Sequence, residues 1–202
     1  MQNKNAPHRK STLDRRAAVK AILANRGDAL LVTGLGSSSY DAGTLDHPNT
    51  FYLWGGMGGA TMIGVGLALA QPKRRVLVLT GDGEMLMGLG SLATIGAEQI
   101  RNLAIVVIDN ELYSETGMQP THTSRGVDLA AIAKAAGFGV TGSISTLADV
   151  KAWIPKLYKT PGPVFLNIKV DASRYSMSIR LRDGTHIKNR FRENLLGSKA
   201  FD

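Results

Sequence analysis

The chain has 202 residues, of which 44% are hydrophobic and 20% are charged, and this composition is typical of a globular protein with one sizeable domain. It contains no cysteine, so disulfide scaffolds, zinc–thiolate sites, iron–sulfur clusters and cysteine nucleophiles are excluded. No two of its four histidines have the short spacing of a zinc-binding helix or finger, so a zinc enzyme is not expected.

The formal net charge of +8 is concentrated towards the two ends of the chain. Residues 1–26 carry a net charge of +6 and residues 174–202 one of +4, whereas the middle, residues 27–173, is slightly acidic at −2. The basic ends are either solvated tails or a docking surface for an acidic partner or substrate. Nucleic acid is disfavoured as a partner, because no aromatic residues alternate with the basic ones.

No targeting or membrane-spanning segment is expected. The N-terminal region lacks the apolar run of a secretory signal. The longest stretch without charged or strongly polar residues, 57–70, is too short to cross a bilayer. We therefore expect a cytoplasmic protein with no membrane contact.

Apolar runs alternate with helix-like segments along the first half of the chain. After ten residues that are expected to be disordered, Ser11-Thr-Leu-Asp14 has a capping-box pattern and predicts a helix that ends near Leu23. Short apolar runs predict strands over 29–33, 51–54, 76–80 and 104–109. Between them, helices are predicted to end near Ala70 and to span 84–100.

The second half of the chain continues this alternation. Helices are predicted over 128–136, 146–158 and 187–196, and strands over 138–141 and 163–170. Continuously apolar strands indicate a parallel sheet that is covered on both sides. We therefore predict an α/β, doubly wound fold with a mainly parallel sheet of about five or six strands and helices on both faces. The predicted domain spans 11–172, and a basic extension follows over 173–202.

Glycine-rich turns after strands indicate phosphate binding, because backbone N–H groups converge there beside the start of a helix. No Walker sequence is present, which excludes P-loop nucleotidases. The G-x-G-x-x-G run at 137–142 follows a predicted helix instead of a strand, so a dinucleotide site is disfavoured. Gly81-Asp82-Gly83 is better placed, between an apolar strand and a helix.

The strand after this turn ends in Asp109-Asn110, with 26 residues between Gly83 and Asn110. Adjacent parallel strands would bring the Asp82 carboxylate and the Asn110 amide to the same edge of the sheet. Magnesium prefers oxygen ligands and holds substrate phosphates, so this pair is chemically suited to half of a magnesium site. The plainer alternative is a tight turn in which Asp82 caps the helix.

The GDG-x26-N pattern that begins at Gly81 resembles the diphosphate-binding motif of thiamine-diphosphate enzymes. Upstream, the run LWGGMG at 53–58 is similar to the segment of the same domain that holds the bend between the cofactor's two rings. In particular, the chain resembles the beta, diphosphate-binding half of sulfopyruvate and phosphonopyruvate decarboxylases, with NTFY at 49–52 and DLAAIAKAAG at 128–137. The resemblance covers about Ala29 to Val170 and implies a thiamine-diphosphate-binding fold.

The resemblance implies thiamine diphosphate and Mg²⁺ as cofactors, and a role for each matched residue. Asp82 and Asn110 would be side-chain ligands of Mg²⁺, and the carbonyl of Leu112 would be the third protein oxygen. Gly83 and Glu84 would offer backbone N–H groups to the diphosphate.

Further residues are implied at the ring end of the cofactor and beside the diphosphate. Met57 would be the apolar wedge under the bent cofactor, although an ordinary core methionine is the alternative. The Gly55 carbonyl would accept a hydrogen bond from the cofactor's 4′-amino group. The implied cofactor-binding set also includes Ser37, Gly81 and Tyr113.

The sequence departs from the family pattern in places. Asp109 stands where many members have a first Asn, with little expected effect because that side chain need not bind the metal. The loop after the first strand matches less well, and Thr33, Ser37 and Ser38 either bond phosphate oxygens or cap the turn. His122, on a loop expected to be mobile at the mouth of the site, is either a proton donor or substrate anchor, or an ordinary surface histidine.

In this family a glutamate bonds the far pyrimidine nitrogen of the cofactor, and it comes from a separate pyrimidine-binding domain. The resemblance therefore implies an alpha-type partner subunit that supplies the glutamate, within a hetero-oligomer. It also implies a small anionic 2-oxo acid as substrate. Basic residues of the extension would lie at the subunit interface or near the substrate: Arg180, Arg182, Lys188, Arg190 and Arg192.

Two classes of function stay open. One is the diphosphate- and magnesium-binding subunit of a thiamine-diphosphate-dependent 2-oxo acid decarboxylase, a lyase expected to be inactive without its partner chain. A carboligase or oxidoreductase subunit is the alternative within this class, although the lack of cysteine disfavours ferredoxin-linked enzymes. The other class is a non-catalytic binding module that docks through its basic ends. The presence of Asp82 and Asn110 at metal-ligand positions favours the enzyme.

Overall fold

A parallel sheet forms the centre of the molecule. The structure is a computed structural model that describes residues 11–53, 55–178 and 183–201. The strands are β1 (Leu30–Thr33), β2 (Thr50–Tyr52), β3 (Val76–Gly81), β4 (Leu103–Asp109), β5 (Leu112–Tyr113), β6 (Gln119–Pro120), β7 (Val140–Ile144) and β8 (Val164–Lys169). Within these residues, six strands pair in parallel in the order β2-β1-β3-β4-β8-β7, and β5 and β6 form a separate antiparallel hairpin.

The helices fill the connections between the strands. They are α1 (Arg15–Leu23), α2 (Ser37–Gly43), α3 (Ala60–Ala70), α4 (Asp82–Met87), α5 (Ser91–Glu98), α6 (Leu129–Ala135), α7 (Leu147–Lys159) and α8 (Gly184–Leu196). Short 3₁₀ helices span His122–Arg125 and Gly197–Phe201. No helix of the described ranges is long and apolar enough to cross a membrane.

The central strands are buried because helices cover both faces of the sheet. All seven residues of β4 are buried, as are the first five of β3 and of β8. On one face, α1, α2 and α7 pack through side chains such as Ile22, Tyr40 and Val150. On the other face, α3 to α6 contribute Val65, Ile95 and others. This architecture confirms the predicted doubly wound α/β fold.

The strand order reverses direction between β1 and β3. From β1 the chain proceeds outward to the edge strand β2, whereas from β3 it proceeds the other way to β4. In open α/β sheets, ligands bind outside the carboxyl ends of the strands at such a switch point. The loops that follow β1, β2, β3 and β4 all carry residues predicted to bind the cofactor.

The chain after β8 folds back over its own domain. Residues 171–178, which we name the strap, lie against α1 and α2, where Asp171 N–H donates to the Leu13 carbonyl and Tyr175 donates its hydroxyl hydrogen to Asp14. Asp183 caps α8, which begins three residues before the predicted start. The predicted role of the extension in a subunit interface stays a prediction, and Arg180 and Arg182 lie outside the described residues, as do residues 1–10.

Three local expectations were wrong. The N-cap of α1 is Asp14, whose carboxylate accepts from Ala17 N–H at 2.6 Å, whereas Ser11 donates to the Lys169 carbonyl. The loop after β1 contains the helix α2. The predicted helix over 84–100 is two helices, because the chain turns at 88–90, where an added Cβ at Gly88 would lie 2.4 Å from the Gly58 carbonyl oxygen.

Candidate functional site

A cavity of about 370 Å³ opens at the switch point, where the loops after β1, β3 and β4 meet. Most of the predicted site residues line it: Ser37, Met57, Gly81, Asp82, Gly83, Glu84, Asn110, Leu112 and Tyr113. Gly55 and His122 are exposed and are not among its lining residues. Trp54, between Gly55 and the end of β2, lies outside the described residues.

Asp82 begins α4 directly after β3 and is buried, with 2% of its surface exposed. One carboxylate oxygen, Oδ2, accepts a hydrogen bond from the Thr121 hydroxyl at 2.5 Å. Burial, followed by the nearby charge of Asp109, raises the pKa of Asp82 to about 7. Among the described cationic residues, none forms an ion pair with Asp82. A buried carboxylate without a protein cation fits the donor chemistry of a divalent metal site.

Asp109 at the end of β4 is fully buried and is held by the protein itself. Its Oδ2 lies 2.8 Å from Lys169 Nζ and accepts from Asn167 Nδ2 at 3.0 Å, and both partners belong to β8. Its Oδ1 accepts from the Thr123 hydroxyl at 2.8 Å. Asp109 therefore has a cation of its own, and the hydroxyls of Thr121 and Thr123, 2.9 Å apart, link it to Asp82.

Asn110 lies on a strained turn. Glu111, which follows it, has φ of +66°, a left-handed conformation that is unfavourable for a residue with a side chain. The Asn110 amide donates to the Ser114 hydroxyl at 2.9 Å, and its Oδ1 accepts from Leu112 N–H at 3.1 Å. An amide oxygen has two acceptor positions, so Oδ1 retains one for a metal ion.

The Tyr113 ring lies so close to Gly83 that it leaves little room for a side chain. An added Cβ would lie 2.5 Å from Cε1 of Tyr113, too close without movement of the ring, whereas it would be at an ordinary contact distance, 3.5 Å, from Cε of Met57. Met57 thus places the loop after β2 next to the first turn of α4. The predicted apolar wedge and the predicted diphosphate-binding turn are thus neighbours in one cavity.

Glu84 has a role that its sequence position did not reveal. Its buried carboxylate accepts from Leu35 N–H at 2.8 Å and from Ala60 N–H at 3.4 Å, and burial raises its pKa. It thereby joins the loop after β1 to the start of α3. An added Cβ at Gly34 would lie 1.8 Å from Glu84 Oε2, which explains the glycine there. The sequence predicted only the backbone N–H of Glu84 as a binding group.

The hydroxyls after β1 divide into two groups. Thr33 lies 2.5 Å from the Ser39 hydroxyl, which also donates to the Gly34 carbonyl at 2.6 Å, so Thr33 takes part in the turn. Ser37 and Ser38, in contrast, line the cavity.

The sequence missed several residues that the fold brings to the site. Thr121 and Thr123 stand two residues apart on either side of the exposed His122, and both point at buried carboxylates. Two sequence patterns could have indicated these residues. One is the alternation of Thr121 and Thr123 around His122, and the other is the presence of the polar residues Asn167 and Lys169 in an otherwise apolar strand. Arg15 also lines the cavity, from α1, and nothing in its sequence surroundings indicated this.

The donor set determines which metal could bind. Within the described ranges, no group of three or more His, Asp and Glu side chains could hold a metal ion. An ion at the cavity would therefore combine Asp82 with the Asn110 amide oxygen, a backbone carbonyl and oxygens of its ligand. Magnesium tolerates such a set, because it often retains substrate phosphates as ligands.

Comparison with known proteins identifies the family. The family model described as thiamine pyrophosphate enzyme, C-terminal TPP binding domain, matches residues 34–168, which include most of the cavity. The chain belongs to this family of thiamine-diphosphate-binding domains. Its fold is also similar to that of benzoylformate decarboxylase from Polynucleobacter necessarius, with a TM-score of 0.67 at 20% identity over 87% of this chain and 35% of the other.

Two curated relatives differ in how much of them the chain spans. It is 37% identical over 187 residues to sulfopyruvate decarboxylase subunit beta of Methanothermobacter thermautotrophicus, which covers 92% of this chain and 97% of the relative. It is 40% identical over 156 residues to phosphonopyruvate decarboxylase of Streptomyces viridochromogenes, covering 76% of this chain but only 39% of the relative. The thiamine-diphosphate domain thus occurs both as a chain of this size and as part of a longer one.

Proposed function

We propose that this chain is the diphosphate- and magnesium-binding subunit of a cytoplasmic thiamine-diphosphate-dependent decarboxylase that acts on a small anionic 2-oxo acid of the sulfopyruvate or phosphonopyruvate type. The observation that carries the proposal is the similarity over nearly the whole length of a sulfopyruvate decarboxylase subunit beta. The cavity at the switch point, with its uncompensated carboxylate, supports it from the structural side.

In the proposed enzyme, the residues of this chain bind and orient the cofactor. Asp82 and Asn110 hold Mg²⁺ with their side chains, and Leu112 does so with its carbonyl. Gly83 N–H and Ser37 bind the diphosphate. The electron sink that lets carbon dioxide leave a 2-oxo acid belongs to the cofactor, and the protein supplies its position.

Met57 supports the cofactor's bend from the apolar side of the cavity. The Gly55 carbonyl accepts a hydrogen bond from the 4′-amino group. Because Gly55 is exposed and does not line the cavity, this role needs Gly55 to lie closer to the cavity when the cofactor is bound. His122 is exposed and lies in the chain between Thr121 and Thr123, whose hydroxyls contact the buried carboxylates. Within this proposal, His122 serves as a proton donor or as an anchor for the substrate.

The proposed enzyme needs a second chain for its catalytic glutamate. In the part of the chain that the structure describes, the carboxylates that line the cavity are Asp82, Glu84 and Glu115. Asp82 is assigned to the metal, and Glu84 already accepts two backbone N–H groups. Glu115 lies beside Gly36, in the loop after β1. A pyrimidine-domain subunit that provides the glutamate, in a hetero-oligomer, is therefore part of the proposal.

The test is reconstitution with the pyrimidine-domain subunit from the same source. We expect carbon dioxide release from sulfopyruvate or phosphonopyruvate that needs both chains, thiamine diphosphate and magnesium. Coupling of two 2-oxo acids without net release of an aldehyde would instead identify a carboligase. Absence of cofactor binding by both chains together would contradict the proposal and favour a non-catalytic module.

A substitution at Asp82 tests the proposed magnesium site directly. Asp82→Ala removes the one carboxylate assigned to Mg²⁺, so we expect magnesium-dependent binding of thiamine diphosphate to be lost, as measured by calorimetry. Asp128→Ala is a matched control, because Asp128 caps α6 through two backbone N–H groups away from the cavity. It should bind the cofactor like the wild type. Unchanged binding by Asp82→Ala would remove Asp82 from the metal site.

A further inference from the structure

One wall of the cavity carries a buried cation. Arg15, the first residue of α1, is 4% exposed and is among the residues that line the cavity. Arginine is rarely buried so fully unless it is paired, and its guanidinium keeps its charge in proteins. Arg15 therefore brings a positive charge to the wall of the space assigned to the cofactor.

The guanidinium of Arg15 is fixed in place but retains donors. Its Nε donates to Asp41 Oδ2 at 2.5 Å, Nη2 approaches Asp41 Oδ1 at 3.5 Å, and Nη1 donates to the Ser173 carbonyl at 3.3 Å. The ring of Tyr175 lies 5.5 Å from the guanidinium carbon. A guanidinium has five N–H donors, so two remain for a ligand. Such a pre-oriented fork suits an oxyanion.

Arg15 shares its buried partner with a second arginine. Asp41 is fully buried, and Arg16 Nε also lies 3.0 Å from Asp41 Oδ1, whereas Asp14 caps α1 and accepts the hydroxyl hydrogen of Tyr175. Because Asp41 is divided between two guanidinium groups, it satisfies Arg15 only in part, and the remaining donors suit an anion in the adjacent cavity.

The position of Arg15 indicates which part of a ligand it meets. The loop that carries Met57 leads into α3, which packs on one face of the sheet, whereas α1 and α2 pack on the other. Asp82 and Asn110 lie between them, at the ends of the central strands. Arg15 begins α1 and lines the cavity together with Ser37 and Ser38 of α2, so it comes from the face opposite the one on which the Met57 loop continues. A diphosphate whose rings rest at Met57 extends towards this side.

We infer that Arg15 binds the terminal phosphate of thiamine diphosphate, the one further from the rings. This inference rests on the proposed function. Magnesium neutralises part of the charge of a diphosphate, and Asp82 adds a negative charge of its own, so a second cation is needed nearby. Arg15 supplies it, and Asp41 and the strap hold its guanidinium in position.

The test compares two arginines that share one carboxylate. Arg15→Met removes the guanidinium from the cavity. Arg16→Met is the matched control, because Arg16 also contacts Asp41 and Tyr175 but does not line the cavity. Calorimetry on the assembled enzyme in magnesium measures the Kd values of thiamine diphosphate, thiamine monophosphate and inorganic diphosphate. A thermal melt of each variant checks that it is folded.

For Arg15→Met we expect the Kd of thiamine diphosphate and of inorganic diphosphate to rise by about tenfold to a hundredfold, because a hydrogen bond to a charged group is lost. The Kd of thiamine monophosphate should change by less than about threefold, as should every Kd of Arg16→Met. If Arg15→Met does not fold, Arg15→Lys decides. It retains the charge but not the fork, so we expect it to weaken diphosphate binding and leave monophosphate binding unchanged.

Three results would overturn the inference: an equal loss for the diphosphate and the monophosphate, no loss for either, or an increase in substrate KM with an unchanged Kd for thiamine diphosphate. The last result would assign Arg15 to the anionic group of the substrate. Failure of the proposed function would give a result different from these three. In that case the wild type would not bind thiamine diphosphate, and binding of inorganic diphosphate would show by itself whether Arg15 forms an anion site.

Discussion

At the scale of single residues, Glu84 shows how one buried side chain can organise two loops. Its carboxylate accepts the N–H groups of Leu35 and Ala60, which belong to the loop after β1 and to the first turn of α3. Both segments contribute to the cavity wall through their neighbours Ser37 and Met57. The charge is costly to bury, as its raised pKa indicates, so the two hydrogen bonds must offset part of that cost.

Glu84→Ala should therefore disturb both loops. It leaves the half-buried Leu35 N–H and the buried Ala60 N–H without their partner, and we expect the free energy of unfolding to fall by about 2 kcal/mol. Urea unfolding measures this change, and amide exchange at Leu35 and Ala60 should become faster. Glu98→Ala, at an exposed position on α5, should be nearly neutral. Equal stability of the two variants would mean that Glu84 does not join the loops.

At the scale of elements, α8 closes one edge of the sheet. It lies against the edge strand β2, with Phe191 in an edge-to-face contact with Phe51 at 5.8 Å. Arg190 makes two hydrogen bonds to Asp46, at 2.8 and 3.0 Å, and holds the pKa of that carboxyl below its usual value. The extension thus contributes to the core of the domain through Ile187 and Phe191.

Phe191→Ala should lower the free energy of unfolding by about 3 kcal/mol, because it removes a buried aromatic side chain and leaves a cavity. Leu196→Ala, an exposed position on the same helix, should cost less than about 0.5 kcal/mol. Urea denaturation of the two variants measures the difference. A small effect of Phe191→Ala would show that α8 is only loosely attached to the sheet.

The elements that the sequence predicted are those with a strong local pattern. The apolar strands β1, β3, β4 and β8 and the capped helices α6 and α7 were predicted nearly as observed, because their apolar patterns reflect burial directly. The strand predicted over 138–141 was misplaced, because β7 (Val140–Ile144) is only partly buried and has a weak apolar pattern. Helix α2 was missed, since SSSYDAG has little helix propensity, and tertiary burial of Tyr40 and Ala42 stabilises it. The break after α4 was missed because it depends on the close approach of Gly88 to Gly58.

Some residues of the candidate site could likewise be predicted from the sequence, and others could not. Residues at the ends of strands, such as Asp82 and Asn110, could be predicted, because the carboxyl ends of parallel strands meet at one edge. Thr121, Thr123 and Lys169 surround the buried carboxylates from other segments, and only the folded structure brings them there. The sequence alone does not show that these side chains lie close to the buried carboxylates.

At the scale of the whole molecule, cofactor binding should raise stability, because a ligand that binds only the native state shifts the folding equilibrium. At a free concentration of about one hundred times Kd the gain is about 2.7 kcal/mol, which corresponds to a rise in Tm of roughly 5 to 10 °C. A thermal melt of the proposed two-chain enzyme with thiamine diphosphate and magnesium measures it. Removal of magnesium with EDTA, or Asp82→Ala, should abolish the rise, and a rise that persists without metal would argue against the magnesium site.

The strap is synthesised after the whole parallel sheet, and this fixes the order in which contacts can form. It follows every strand of the sheet along the chain, so a ribosome exposes all six parallel strands before it exposes Ser173 and Tyr175. Strand pairing can begin during synthesis, whereas the contacts of Arg15 with Ser173 and Tyr175 can form only later. A nascent chain can therefore pair its strands before Ser173 and Tyr175 are available to fix the guanidinium of Arg15.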